Sequence, residues 1–479
     1  TDDEFEDDDD EESWKVYSPA LLTTSDFTNG SISLQDKEDE SLNLEPIETE
    51  RDATEQSAGA EATHDSFVEH DREPEVSIEE TKEIETVALS DGAAQTKLFD
   101  LSKIRVYLGN SSSGKKIYWE FGHPGLNNRH ILLFGSSGCG KTYAMQCILS
   151  ELAHAGAHNL IFDYTQSFTT REIKEGAERF FPEEAQHYVV EEPLPLNPFQ
   201  PQRFPLGSRF RNEDPMDLAS RVGAIFRKVY GLGTQQAGEL EKAIYAGIEA
   251  KGESFTFKEL YETLLTKTEE KGSGTIETLL NRVQKILLKA PFATGGKLSW
   301  DGIFNSEIRN KIFQFQTIDD YTAKAVIEFL LWDLYAFVQR NGGKDPKVIV
   351  LDEIQNLDLD PNAPTAKYLV EGRKFGLALM GATQTLKGIG GASSYSTTTL
   401  LQAAQMLVFQ PSSTELADFA KFLHDKDGNY SVQEWKSRLG SLNKGECYFV
   451  GPELNEATGN LKQVVRKIKI ASFQERDFS

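Results

Sequence analysis

The sequence has little cysteine and no long uninterrupted apolar run. Its three cysteines show no paired spacing and no C-x-x-C motif: Cys139, Cys147 and Cys447. We therefore expect neither a disulfide framework nor a structural zinc site, and a reducing compartment fits best. The most apolar stretch, Val326–Val338, contains Glu328 and Asp333 and is too short to cross a bilayer, which needs about 20 residues. The expectation is a cytoplasmic protein that does not enter the membrane.

The sequence also lacks an excess of positive charge. Its 479 residues hold 76 acidic and 50 basic side chains, which gives a net charge of −26. Residues 1–100 contain 32 of the acidic and 6 of the basic side chains, so the rest of the chain holds 44 of each sign. Bulk charge therefore gives no argument for nucleic-acid binding, and any contact with DNA must be local.

Residues 1–96 combine a run of like charge, Asp2–Glu12, with polar residues between sparse apolar ones. Such a composition cannot bury enough surface to offset its ordering entropy, which predicts an acidic disordered arm. A solubilising spacer is one interpretation, and a docking peptide anchored at Trp14 is the other. Because the sequence begins at Thr1 and not at Met, we expect a processed chain or part of a longer polypeptide.

From about Lys97 onward, short β-branched and aromatic runs alternate with amphipathic helical patterns. This alternation is typical of a mostly parallel sheet covered by helices. The length exceeds one minimal core, so we predict a main α/β domain over residues 97–479 that carries an insertion.

A glycine-rich loop follows the apolar strand pattern Ile131–Phe134 and precedes a helical pattern that ends near Gly156. Strand, loop and helix are in the order that a phosphate-binding P-loop requires. The glycines let the backbone wrap around phosphate oxygens, and the helix start favours negative charge. Lys141 is expected to reach the β- and γ-phosphates of ATP, and Thr142 to bind Mg²⁺. The loop that fits G-x-x-x-x-G-K-[ST] consists of Gly135, Ser136, Ser137, Gly138, Cys139, Gly140, Lys141 and Thr142.

A second apolar strand pattern, Lys347–Leu351, ends in the carboxylates Asp352 and Glu353. Asp352 is placed to hold Mg²⁺, and Glu353 to orient or deprotonate an attacking water. No N-K-x-D element for reading a guanine base is visible. The pair therefore favours an ATPase over a GTPase switch.

Further strand patterns lie at Asn159–Asp163, Lys311–Gln316 and Leu377–Ala382. The last of these ends in Thr383 and Gln384, and a polar side chain at the tip of a strand beside the P-loop strand can sense the γ-phosphate. Gln384 is the sensor candidate, with a simple strand cap as the alternative. Helical periodicity from Asp217 to Ala290 predicts a helical insertion at about 205–300.

Taken together, these motifs resemble the HerA/FtsK superfamily of hexameric DNA-pumping ATPases. The resemblance covers roughly Lys97 to Lys469, and its most specific part is the block Glu371–Gly376 that leads into LMGATQ. The loop Asp163–Thr165 and LPLNPF at Leu194–Phe199 look most like the ATPase of phosphorothioation-dependent restriction systems, the DptH type. The fold that the resemblance implies is a RecA-like P-loop NTPase.

The resemblance also implies roles for individual residues. Lys141 and Thr142 match the P-loop lysine and the Mg²⁺ ligand, Asp352 and Glu353 match the metal-associated acid and the catalytic glutamate, and Gln384 matches the polar sensor. Arg373 matches an arginine that acts between neighbouring subunits, although a surface ion pair with Glu371 is the alternative. The chain departs from HerA-type helicases at its start, because residues 1–96 cannot form their β-barrel.

The expected function is therefore an ATP-driven DNA translocase or helicase-like motor in prokaryotic defence, a hexamer that works with a nuclease or other defence subunits. DNA would be duplex and read without sequence preference, through the loop Tyr164–Arg171 or the Gly/Ser-rich stretch Lys387–Thr398. Either segment is equally compatible with a plain flexible loop. Two other classes stay open: a conjugation or secretion motor of similar fold, and an ATP-gated assembly scaffold that does not translocate.

Overall fold

The computed structural model describes residues 100–478 apart from positions 208, 272–273, 294–297, 342–345 and 387–398. The acidic arm predicted for residues 1–96 and the Gly/Ser-rich stretch Lys387–Thr398 lie outside the described residues. Within the described part of the chain, no helix is both long enough and apolar enough to span a bilayer.

Strands and helices alternate along most of the chain. The strands are β1 Val106–Ser111, β2 Lys116–Trp119, β3 Ile131–Phe134, β4 His158–Asp163, β5 Gln186–Tyr188, β6 Arg203–Leu206, β7 Arg209–Asn212, β8 Asn310–Gln314, β9 Lys347–Leu351, β10 Leu377–Thr383, β11 Gln405–Val408, β12 Glu446–Asn455 and β13 Asn460–Ile470. The helices are α1 Lys141–His154, α2 Pro215–Tyr230, α3 Thr234–Lys251, α4 Phe257–Lys271, α5 Gly274–Lys289, α6 Trp300–Phe304, α7 Asp320–Asn341, α8 Pro364–Glu371, α9 Leu416–Lys426 and α10 Val432–Gly440.

One large sheet organises the domain, with the strand order β2-β1-β13-β12-β11-β3-β10-β9-β4-β8-β5. The strands from β11 to β5 run parallel, whereas β12, β13, β1 and β2 extend the sheet in antiparallel pairs. The prediction of a mostly parallel P-loop NTPase sheet is confirmed. The predicted strands are β3, β4, β8, β9 and β10, while the antiparallel end had not been predicted.

The central strands are apolar because helices cover both of their faces. Every residue of β3 and of β10 is buried. Side chains alternate across the sheet, so Ile131 and Leu133 pack in the layer of α1, and Leu132 and Phe134 pack in the layer of α2–α5 and α7. Strand β10 lies between β3 and β9, as the sensor prediction for Gln384 requires.

Four helices, α2 to α5, lie between β7 and β8 in the chain, within the range where helical periodicity predicts an insertion. Helix α2 begins after Asp214, whose carboxylate accepts a hydrogen bond from the backbone N–H of Met216. It ends at Gly231, which adopts a left-handed conformation that only glycine takes without strain. The four helices bury their apolar faces against the sheet and α7 in one continuous core.

Candidate functional site

The P-loop connects the carboxyl end of β3 to the first turn of α1. Gly135 and Gly140 both have positive φ, at 152° and 111°. A side chain at Gly135 would place its Cβ 2.8 Å from Cβ of Phe409 and 2.9 Å from Sγ of Cys139. The loop therefore needs glycine at this position for both conformation and space.

Hydrogen bonds from three neighbouring segments fix the loop. The backbone N–H of Gly135 donates to the carbonyl of Thr383 at 3.1 Å, and the N–H of Ser136 donates to the carbonyl of Gln410 at 2.9 Å. On the other side, the N–H of Gly445 donates to the carbonyl of Cys139 at 3.0 Å. The phosphate-binding backbone is thus held from several sides.

Lys141 is buried and folds back over this loop. Its ammonium donates to the carbonyls of Gly135 at 2.8 Å and Ser136 at 3.0 Å. Thr142 follows in the first turn of α1, where unpaired N–H groups favour an anion. The charged nitrogen of Lys141 and the hydroxyl of Thr142 therefore border the same cleft.

Asp352 lies buried at the carboxyl end of β9, where its Oδ2 accepts a hydrogen bond from Oγ1 of Thr165 at 2.9 Å. Burial raises the pKa of Asp352, while the hydrogen bond from Thr165 and the charge of Lys141 oppose this shift. A divalent cation would offset the cost of the buried negative charge. The structure therefore brings together Thr142, Lys141 and Asp352 as the sequence predicts.

A second buried carboxylate, Asp163, was missed by sequence reasoning. It ends β4 and accepts hydrogen bonds from the backbone N–H groups of Ser167 and Phe168 at 2.8 and 2.9 Å and from Gln314 Nε2 at 2.9 Å. Burial raises its pKa to about 6. The loop Tyr164–Arg171 is thereby tied to the sheet and places Thr165 and Ser167 in the cleft. A carboxylate at the end of an apolar strand was the available signal.

Glu353 adopts a left-handed backbone conformation with φ of 54°, which is rare outside glycine and typical of functional turns. Its Oε1 accepts a hydrogen bond from Nε2 of Gln384 at 3.1 Å, and its Oε2 accepts one from Nε2 of Gln355. The structure thus places Gln384 in direct contact with Glu353, at the carboxyl end of the strand beside the P-loop strand.

These groups enclose a cleft of about 420 Å³. It is lined by Ser137, Gly138, Gly140, Lys141, Thr142, Tyr143, Thr165, Ser167, Lys174, Asp352, Glu353 and Lys444. The lining combines ammonium groups, backbone N–H groups, hydroxyls and carboxylates, a set of groups that suits a nucleoside triphosphate with Mg²⁺. Lys174 and Lys444 were missed by sequence reasoning because they come from distant segments that carry no motif.

Arg373 lies near the amino end of β10, whereas this cleft lies at the carboxyl ends of the parallel strands. It sits in the 3₁₀ turn Gly372–Phe375 before β10, whereas Gln384 follows the end of β10. The seven residues of β10 separate the two by roughly 20 Å, since a strand rises about 3.3 Å per residue. Arg373 is exposed and therefore does not reach the P-loop of its own chain.

A second arginine, Arg129, lies near Arg373. Burial, together with the positive charge of Arg373, lowers the pKa of Arg129, which lies just before β3. Glu371 instead accepts a hydrogen bond from Tyr335 at 3.0 Å and pairs with Lys374 at 4.0 Å. Among the described residues, the guanidinium of Arg373 forms no hydrogen bond or ion pair. The alternative of an ion pair with Glu371 is therefore not what this structure shows.

The fold and the site define a P-loop ATPase. Residues 106–334 match the family model described as the central domain of helicase HerA. This part of the chain is thus similar to the central domain of HerA. No curated protein matches the chain.

The solved structure of VirB4 shows the same fold. VirB4 of Thermoanaerobacter pseudethanolicus is 19% identical, with a TM-score of 0.56 over 77% of this chain and 97% of that chain. The bacterial conjugative coupling protein TrwB, without its first 70 residues, is 14% identical, with a TM-score of 0.46 over 80% of this chain and 92% of that chain. TrwB has been solved in complex with ADPNP and with ADP and Mg²⁺. At 19% identity the likeness to VirB4 shows the fold alone.

Proposed function

We propose that the chain is the ATPase of a polymer-moving motor that hydrolyses ATP to move DNA, in a hexameric ring like those of conjugation and secretion systems. The observation that carries this proposal is the position of two residues at opposite ends of β10. Gln384, at the carboxyl end of this strand, lies beside the nucleotide cleft, whereas Arg373 precedes the amino end of the strand. If Arg373 acts on the nucleotide of a neighbouring subunit, ATP turnover requires contact between subunits.

The residues of the cleft have different roles in hydrolysis. Lys141 and the backbone N–H groups of the P-loop hold the β- and γ-phosphates, and Thr142 and Asp352 hold Mg²⁺, which neutralises phosphate charge when bound. Glu353 orients the attacking water and accepts its proton. Gln384 contacts Glu353 and senses the γ-phosphate.

Arg373 completes the site of a neighbouring subunit. An arginine aimed at the γ-phosphate of the next subunit neutralises charge in the transition state, which is worth about 10³–10⁵ in rate. Arg129 lies close enough for its pKa to respond to the charge of Arg373, and we assign it to the same subunit boundary. Two neighbouring guanidinium groups favour an anion, and among the described residues neither forms an ion pair with a carboxylate.

DNA is the favoured polymer because the matching family model is named for a helicase and because the chain offers a local basic surface. The hairpin β6–β7 carries Arg203, Arg209 and Arg211 and no acidic residue, and within the described part of the chain these arginines form no ion pair. The guanidinium of Arg203 lies 5.4 Å from the ring centre of the exposed Phe210. Arginines beside exposed aromatic rings suit phosphates and unpaired bases.

The conjugation and secretion type is favoured over the restriction type. The similarity to VirB4 extends over 97% of that chain and 77% of this one, which supports this preference. The narrower assignment to a phosphorothioation-dependent defence system, with a nuclease partner, rests on the sequence resemblance alone.

ATP turnover with and without duplex DNA tests the proposal most directly. We expect clear stimulation by DNA, loss of turnover in Lys141→Ala, and weaker stimulation when the three hairpin arginines are replaced by glutamine. ATP turnover that DNA leaves unchanged would favour the scaffold class. Stimulation by an unfolded protein instead of DNA would favour a protein-secretion motor.

A further inference from the structure

The catalytic glutamate candidate is restrained from both sides. Each carboxylate oxygen of Glu353 accepts a side-chain amide N–H, one from Gln384 and one from Gln355. Hydrogen bonds to an ionised carboxylate are stronger than neutral ones, and they fix its direction. In this arrangement one acceptor site on each oxygen is taken by an amide, and the two amides together fix the direction of the carboxylate.

The two glutamines lie in different structural elements. Gln384 ends β10 beside the P-loop, whereas Gln355 belongs to the 3₁₀ turn Ile354–Asn356 that follows Glu353 directly. Gln355 also lines a second, larger cleft of about 1150 Å³ between α2, α7 and α8, which contains no P-loop residue. Gln355 therefore connects the nucleotide cleft with a different part of the molecule.

The amide of Gln355 is only half satisfied. Its Nε2 donates to Glu353, but its Oε1 is buried and has no hydrogen-bond partner among the described residues. A buried carbonyl oxygen without a partner costs free energy, so packing alone does not explain a glutamine here. The contact with Glu353 is the feature that a glutamine supplies at this position and an apolar side chain does not.

The segment that carries Gln355 is also tied to the helical bundle. Lys228 of α2 forms ion pairs with Asp358 at 3.2 Å and Asp360 at 3.3 Å. Glu328 of α7 accepts a hydrogen bond from the backbone N–H of Asp358 at 2.8 Å. A displacement of α2 therefore pulls on the chain only a few residues beyond Gln355.

We propose that Gln355 is a positioning residue that holds Glu353 in a resting orientation, and that the helical bundle α2–α5 releases it through Lys228 and the segment 354–360. The inference rests on the proposed ATPase function and adds a control of that same site. In the resting state Glu353 is directed at the two amides. Movement of the segment withdraws the Gln355 amide and leaves one carboxylate oxygen free for water.

The first test compares Gln355→Leu with Asn356→Ala, since Asn356 lies in the same turn and lines the same large cleft, and among the described residues its side chain forms no hydrogen bond with the Glu353 carboxylate. Gln355→Leu should raise basal kcat without DNA about three- to tenfold, with KM for ATP within about twofold of wild type. Its Tm without nucleotide should stay equal or rise, because leucine removes the partnerless buried oxygen. Asn356→Ala should match wild type in basal kcat.

A second readout does not depend on turnover. In Gln355→Leu without nucleotide, the backbone amides of Asn356 and Leu357, which donate to Glu353 and Ile354, should exchange hydrogen faster than in wild type. Amides of α1 should be unaffected. Unchanged exchange together with unchanged basal kcat would overturn the inference. A fall in kcat would also overturn it, because it would show that Gln355 holds Glu353 in the orientation needed for catalysis.

The link to the helical bundle has its own control. Lys228→Ala should lower the stimulation of kcat by DNA without raising basal kcat, because α2 can then no longer displace the segment, whereas Arg227→Ala on the same helix should leave the stimulation unchanged. Combining Lys228→Ala with Gln355→Leu should give the raised basal kcat of Gln355→Leu, since the restraint is already absent. Wild-type stimulation by DNA in Lys228→Ala would overturn the link through Lys228. Turnover that survives in Lys141→Ala would instead overturn the proposed ATPase function, and this inference with it.

Discussion

Lys141 and Glu353 border one cleft but are expected to act on different groups. We expect the lysine to neutralise phosphate charge in the bound state and the glutamate to act only on the attacking water. Lys141→Ala should therefore abolish binding of a fluorescent ATP analogue. Glu353→Gln should bind it as wild type does but lower phosphate release about 100-fold or more. Wild-type turnover in either variant would contradict the assignment, provided that the variant keeps its Tm.

A buried carboxyl outside the nucleotide cleft makes stability depend on pH. Burial raises the pKa of Glu328 in α7 from 4.5 to about 8. The folded state thus keeps a proton that the unfolded chain releases above pH 4.5, so this group costs increasing stability as pH rises from 4.5 to 8.

Replacing Glu328 with glutamine removes this dependence. Relative to wild type, Glu328→Gln should gain on the order of 3 kcal/mol in free energy of unfolding between pH 5 and pH 8. Urea denaturation at both pH values measures the difference, and Glu249→Gln on the exposed face of α3 is the control. An equal change in both variants would show that Glu328 does not hold the proton.

At the level of single residues, sequence reasoning found the groups that stand at strand ends. Lys141, Asp352 and Gln384 each follow an apolar run, so their meeting at one edge of a parallel sheet could be predicted. Lys174 and Gln355 could not be predicted, because loops bring them to the site and loop paths depend on tertiary packing. The αL conformation of Glu353 likewise has no sequence signal, since a glutamate rarely adopts it.

Among the elements, helix α3 offers a matched test of packing. A Cβ on Gly247 would lie 2.2 Å from Cε2 of the buried Phe255, whereas a Cβ on Gly238 would meet nothing within 4 Å. Gly247→Ala should therefore lower the free energy of unfolding by about 1–3 kcal/mol through overpacking. Gly238→Ala should leave it unchanged or raise it by up to about 1 kcal/mol through helix propensity. Equal effects of the two substitutions in urea denaturation would contradict the packing described for Phe255.

The elements that sequence reasoning found are those with a strong period or a continuous apolar run. Strands β3, β9 and β10 are almost entirely apolar, and α2 and α5 repeat apolar residues at helical spacing. Strand β13 was missed because most of its residues are exposed or half-buried and polar, and its place is fixed by pairing with β12 and β1. Pairing between distant segments leaves no local trace in the sequence.

At the scale of the whole molecule, the separation of charge gives a prediction about residues 1–96. Residues 1–100 hold the entire net charge of −26, and the remainder is neutral. Because a composition so rich in like charge cannot build a core, deleting 1–96 should leave basal ATPase activity and Tm nearly unchanged. Circular dichroism and phosphate release compare the two proteins at equal concentration. A large loss of soluble, folded protein would show that these residues are structural.

Substitution of Arg373 tests the proposed ring. This residue lies roughly 20 Å, the length of β10, from the nucleotide cleft of its own chain. If it acts on the nucleotide of the next subunit, Arg373→Ala should bind ATP about as well as wild type yet hydrolyse it poorly, since the contact forms mainly in the transition state.

Mixing the two variant proteins then separates action within a chain from action between chains. Rings that combine Arg373→Ala with Lys141→Ala contain boundaries where an intact P-loop meets an intact arginine, so they should regain part of the turnover. Co-expression with two affinity tags verifies that the rings are mixed, and titration of wild type with Lys141→Ala shows whether one dead subunit stops the whole ring. Verified mixed rings that hydrolyse no faster than the two variants alone, without such strict coupling, would show that Arg373 does not act on the nucleotide of a neighbouring subunit.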